Sequence, residues 1–283
     1  MSSYPWLTTL GLLPLIGSIV VALLPKSKPT LAKQVSLVVS GAVLALTIAM
    51  ALQFDGASKQ PFQFVESYSW IPSFGISYSV GVDGIGLVLI ALAATLVPIV
   101  ILAGWRDIEG DQESEGSVKG YFALILALEA LMIGVFAATD VFLFYVLFEV
   151  MLIPVYFMIG RYGGPQRSYA AIKFLLYSLL GGLFMLASVI GLYVVSAREL
   201  GSGTFDFLSL VGLEMDPNPQ KMLFLGFFFA FSSGIRCVAH ATMRYAPRLA
   251  PHTSSRDARQ PFTWGLNSQV PNSAAWHLSL IHI

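Results

Sequence analysis

Charge is what this sequence has least of: 11% of its 283 residues are Asp, Glu, Lys or Arg, against about 25% in a soluble domain. With 56% hydrophobic residues and a mean hydropathy of +0.74, that scarcity excludes an ordinary soluble globule and indicates a polytopic membrane protein. The 16 basic and 16 acidic residues cancel, and no basic surface stands out before the C-terminal tail, so nucleic acid is not an expected partner. The single cysteine, Cys237, excludes an internal disulfide and a cysteine-rich metal centre. The four histidines, His240, His252, His277 and His282, lack both zinc-ligand spacing and a cysteine pair, so no metal site is expected. The first apolar run has neither a basic leader nor a small-residue cleavage site and is expected to be a retained span.

Two motifs fall short of the chemistry they suggest. Gly81-Val82-Asp83-Gly84-Ile85-Gly86 has the glycines of a dinucleotide loop without its spacing or its strand-helix setting. Asp83 is expected there as the N-cap of a span. The acidic residues Asp107, Glu109, Asp111, Glu113 and Glu115 alternate as in a calcium loop, but Gln112 stands where that loop turns on glycine. A solvated connector is expected.

What the chain does have is long apolar runs. They fall at 6–24, 35–52, 81–102, 121–138, 141–159 and 169–195, with a partial seventh from Met222. About 20 helical residues cross roughly 30 Å of hydrocarbon, so residues 1–231 predict an all-α polytopic transmembrane helix bundle of six full spans and part of a seventh. The stretch 55–81 is a polar loop in which Phe74, Ile76, Tyr78 and Val80 alternate, predicting a short extramembrane strand against the membrane face. From Ser232 the composition turns polar, with five arginines and no lysine. The segment 232–283 is expected to be a disordered or non-native tail.

The fourth and fifth runs form a hairpin separated only by Thr139 and Asp140. Glu129 lies ten residues before Thr139 and Glu149 ten after it, which places both carboxyls near mid-membrane. A charged carboxylate there costs about 3 kcal/mol on insertion scales, so each must meet water, a cation or a proton. Pro154 has no N–H for the carbonyl of Val150, which weakens the helix one turn from Glu149 and frees a backbone acceptor. Glu149 is therefore the leading proton carrier and Glu129 a possible second site. Lys173 enters the sixth run near its start, either snorkelling to the interface or pointing toward the acids. Gly181-Gly182 allows close helix contact in that run. Lys26, Lys28, Lys33, Arg106, Lys119, Arg161 and Arg167 occupy alternate loops, whereas Lys59, Arg198 and Lys221 occupy the others. The positive-inside rule then puts the N-terminus outside.

These residues carry a resemblance. Gly81-Val82-Asp83-Gly84-Ile85, Met132-Ile133-Gly134-Val135-Phe136, Asp140 to Tyr145, Phe148-Glu149, Leu152-Ile153-Pro154 and Ala171-Ile172-Lys173-Phe174 resemble the M subunits of bacterial NADH-quinone oxidoreductase. Those are antiporter-like membrane subunits of respiratory complex I, related to multisubunit sodium/proton antiporters. The resemblance spans roughly residues 1–231. It implies a proton-translocating subunit of an oxidoreductase in the bacterial inner membrane, with no cofactor of its own; NADH, flavin, iron-sulfur clusters and quinone belong to partner subunits. It implies that Glu149 is the family's essential glutamate and Lys173 a charge modulator. The family adds a seventh-span lysine where this chain reads Ser232-Ser233-Gly234-Ile235-Arg236, and continues to about fourteen spans, so a truncated chain is expected. The alternatives are a sodium/proton antiporter subunit and a membrane fragment that does not conduct.

Overall fold

The computed structural model describes residues 4–25, 27–58, 60–110, 118–163, 166–213 and 215–245, with side chains described except at 106–110 and 234–245. Eight α-helices, a short 3-10 turn (Pro72–Phe74) and one β-hairpin make up this part: α1 (Trp6–Leu23), α2 (Pro29–Leu52), β1 (Gln63–Ile71), β2 (Ile76–Val82), α3 (Gly84–Gly110), α4 (Val118–Ala137), α5 (Val141–Tyr162), α6 (Arg167–Glu199), α7 (Phe207–Val211) and α8 (Pro217–Tyr245). Six of the described helices, α1 to α6, are long and apolar enough to cross a membrane. Their outward faces carry Ile16, Val38, Ile99, Ile153 and Leu176, all exposed, as expected where lipid rather than water is the solvent.

Helix α4 is the centre of the bundle, packing on α1, α2, α3 and α5. Its inward residues Phe122, Leu126 and Ile133 are almost fully buried. Helix α5 lies outside it and hands the chain to α6, which packs on α5 and α8. Small residues bring α6 and α8 together. A Cβ at Gly181 would stand 3.0 Å from the carbonyl of Ala230, and one at Gly226 would stand 3.3 Å from Cβ of Ser188.

The expected boundaries shift in places. Helix α2 begins at Pro29, whose fixed φ and missing N–H suit a first turn, rather than at Val35. Helix α3 runs to Gly110, so the acidic connector is shorter than its composition suggests; residues 111–117 lie outside the described residues. The 55–81 segment contains two paired antiparallel strands rather than one, with Tyr68 opposite Tyr78 and Ser69 opposite Ser77. The loop before the seventh run contains the short helix α7, whose N-cap Asp206 accepts from the Ser209 amide at 2.9 Å. Helix α8 continues past Phe231 to Tyr245, so its backbone does not break where the composition changes. The remainder of the expected tail, 246–283, lies outside the described residues.

Candidate functional site

The α4–α5 hairpin tip is built from Thr139 and Asp140, held between two neighbouring segments. Thr139 donates its N–H to the carbonyl of Ser79 at 3.0 Å and accepts from the Phe207 amide at 3.0 Å. Val141 donates to the carbonyl of Phe205 at 2.9 Å. The tip thus runs as a middle strand between β2 and residues 205–207.

Asp140, one of the two residues between the fourth and fifth apolar runs, is 1% exposed and caps α5. Its carboxylate accepts from the amides of Phe142 and Leu143 at 2.9 and 3.0 Å, and from the amide and hydroxyl of Ser77 at 3.2 and 3.4 Å. Burial pushes this carboxyl above the usual carboxylate range, against the pull of those four donors. The cap fixes where α5, and with it Glu149, begins.

Glu149 projects from α5 onto α6. A Cβ at Gly182 would lie 2.6 Å from its carboxyl carbon, so the carboxyl occupies the space that a side chain on α6 would fill. Its Oε1 is buried without a hydrogen-bond partner. Pro154 lies buried inside the same helix. Glu129 is fully buried in α4, and neither of its carboxyl oxygens has a partner. No hydrogen bond joins the two acids. A cleft of about 580 Å³ lies beside the tip, lined by Asp83, Thr139, Asp140 and Phe144 among others, and neither glutamate faces it.

Lys173 does not meet Glu149. Its ammonium lies 5.8 Å from the ring centre of Tyr169, one turn toward the start of α6. Gly182, where the carboxyl rests, is nine residues further on, about 13 Å along the axis at 1.5 Å per residue. Asp83 is an N-cap as expected, accepting from the Gly86 amide at 2.7 Å.

Three other charged groups act where their sequence positions did not place them. Glu66 of β1 accepts from the amides of Leu7 and Thr8 at 2.9 and 3.3 Å and from the Thr8 hydroxyl, closing the N-terminal end of α1. Lys119 donates to the carbonyls of Ala22 and Leu24 at 2.9 and 2.6 Å, closing the other end. Both signs suit the helix dipole. Lys33, grouped with loop lysines by its position, is 1% exposed, donates to the carbonyl of Trp105 and sits 5.6 Å from the centre of that indole. The Asp140 cap was legible, since an aspartate directly before an apolar run is an N-cap signal. The Glu66 and Lys119 pairings, which join residues far apart in sequence, were not.

Residues 138–240 match the family described as NADH:quinone oxidoreductase/Mrp antiporter, TM. NADH-quinone oxidoreductase subunit M of Mycobacterium tuberculosis is 46% identical over 82% of this chain and 47% of its own length. F(420)H(2) dehydrogenase subunit M of Methanosarcina mazei is 37% identical over 80% of this chain and 45% of its own. The chain thus spans about half the length of the relatives it matches. Among solved structures, respiratory complex I from Thermus thermophilus with bound NADH superposes with a TM-score of 0.66 at 29% identity, covering 80% of this chain and 43% of the matched one. The Mrp complex from Dietzia sp. superposes at 0.65 with 18% identity, over 80% of this chain and 23% of the matched one, a likeness of fold. Helix α5, which carries Glu149, and α6 lie within residues 138–240, the stretch that matches the NADH:quinone oxidoreductase/Mrp antiporter membrane family, and the chain is similar in sequence to the M subunits of that family.

Proposed function

We propose that this chain is the proton-translocating part of an M subunit of NADH:quinone oxidoreductase, with Glu149 as the proton carrier. The observation that carries this reading is a buried carboxyl oxygen without a partner, in a transmembrane helix, seated on a glycine of the next span. A carboxyl placed there is expensive unless it binds a proton or a cation, and such a group is a functional site by default. Pro154 adds a backbone carbonyl without its helical partner one turn away. Glu129 is the second proton site, more deeply buried and with no proline beside it.

Lys173 acts as a charge modulator from a distance. The roughly 13 Å axial spacing is a lower bound for an ammonium turned toward Tyr169, so at an effective dielectric near 20 its charge shifts the energy of an ionised Glu149 by at most about 1 kcal/mol. That biases a proton-binding equilibrium up to several-fold without a direct ion pair.

The chemistry in this chain is proton binding and release, and the redox steps belong to partners. NADH, flavin, iron-sulfur clusters and quinone reside in the other membrane and peripheral subunits, which are this chain's assembly partners. The setting is the bacterial inner membrane with the N-terminus outside. Lys28, Lys33, Lys119, Arg161 and Arg167 lie at one end of the bundle, and only Arg198 and Lys221 among the described basic residues at the other, an excess that supports this orientation. The identity to subunits named for NADH-quinone oxidoreductase favours redox-driven pumping over sodium/proton exchange.

The test is proton uptake measured alongside quinone reduction in vesicles containing the assembled complex. Glutamine keeps the size and hydrogen-bonding capacity of glutamate but does not titrate. Glu149→Gln is expected to abolish uptake with the complex still assembled, and Glu129→Gln to lower it less. Full pumping by Glu149→Gln removes that residue from the mechanism.

A further inference from the structure

Ser178 lies on α6 four residues before Gly182, the glycine against which the Glu149 carboxyl rests. It is 5% exposed, and its hydroxyl has no hydrogen-bond partner. Serines in helices usually donate back to the carbonyl four residues earlier, as Ser36, Thr47 and Ser188 do here. Ser178 does not. Residues four apart on a helix hold their Cβ atoms about 6 Å apart, so the hydroxyl and Oε1 of Glu149, both buried and both unpaired, face one small region of the α5–α6 seam. On the α5 side, Pro154 leaves the Val150 carbonyl without its helical donor at the same level. A buried water typically makes two to four hydrogen bonds to polar groups left unsatisfied by the protein.

We propose that one water molecule binds in this seam, bridging the Ser178 hydroxyl to the Glu149 carboxyl. Ser178 is then a positioning residue: through the water it fixes the carboxyl in the orientation from which a proton is exchanged. The spacing suits a water better than a direct bond, because a serine side chain is too short to reach across a helical turn. Among the described residues, the other titratable groups near this seam are Tyr145, one turn before Glu149 on α5, and Lys173, whose ammonium is turned toward Tyr169. The proposal takes Glu149 as the carrier, but the bridge itself is detectable whether or not Glu149 conducts.

The experiment is infrared spectroscopy of the full chain in lipid bilayers. The carbonyl band of protonated Glu149 is isolated as the difference from Glu149→Gln and followed on exchange into D2O. The bridge predicts a band at the low-frequency, hydrogen-bonded position that shifts on deuteration. In Ser178→Ala it moves to higher frequency and loses most of that sensitivity; in Ser178→Thr, which keeps the hydroxyl, it stays. Tyr145→Phe leaves it in place. An unchanged band in Ser178→Ala overturns the proposal, as does an equal shift in the alanine and threonine variants, which marks a packing effect. A band lost on replacing choline chloride with sodium chloride also overturns it, by showing that a cation takes the place assigned to water. Failure of Glu149→Gln to affect pumping, with these spectra intact, sinks the carrier role and leaves the water bridge standing.

Discussion

A methyl group at position 182 would stand 2.6 Å from the carboxyl carbon of Glu149, closer than packed atoms tolerate. The obstacle is the end of a flexible side chain, so Gly182→Ala is expected to displace the carboxyl rather than part the helices. Gly181→Ala meets the backbone of Ala230 and is expected to disturb α6 against α8. Overpacking of this kind costs about 1–3 kcal/mol. Denaturant unfolding in detergent is expected to show the larger loss for Gly181→Ala, and vesicle proton uptake the larger loss for Gly182→Ala. The reverse ranking would detach Gly182 from the carrier site. At Asp140, where burial raises the carboxyl, the folded chain binds the proton more tightly than the unfolded chain does. Its contribution is therefore greatest at low pH and is lost as pH rises from the ordinary carboxylate range through the raised value. Stability measured across that window is expected to fall with pH in the wild type and to fall less in Asp140→Asn; equal slopes would contradict it.

Helix α1 depends on groups outside itself at both ends. Its own sequence supplies no side-chain cap, and Glu66 and Lys119 take that role from β1 and α4. Glu66→Ala strands the amides of Leu7 and Thr8, a loss of about 1–2 kcal/mol by analogy with N-cap removal. Amide hydrogen exchange at those two positions is expected to quicken by tenfold or more while exchange in the middle of α1 does not change. Uniform exchange would show that the end is held by packing alone. The spans themselves were legible because hydrophobic length sets them, and the hairpin because two polar residues separate two long apolar runs. Strand β1 was not, since its burial does not alternate. The seat of Glu149 was half legible: Gly181-Gly182 announced a close contact, but not which side chain fills it. Ser178 carried no local signal, because an unpaired hydroxyl is recognised only by what surrounds it.

At the scale of the whole molecule, lysine and arginine are more numerous in the loops at one end of the bundle than at the other. Cysteines placed at Ser58 and Ser114 in a Cys237→Ser background are expected to react from outside and from the cytoplasm respectively. The opposite labelling would invert the orientation and with it the direction assigned to proton movement. The hairpin tip bears on a different matter, the order in which the chain is completed. Thr139 and Val141 exchange hydrogen bonds with Phe207 and Phe205. During synthesis those partners emerge roughly 65 residues later, on the order of 3 to 13 s at 5–20 residues per second. Until then the two acid-bearing helices share a tip closed on one side only, so the last short piece of chain to leave the ribosome before α8 is the one that locks the proton-carrying hairpin in place.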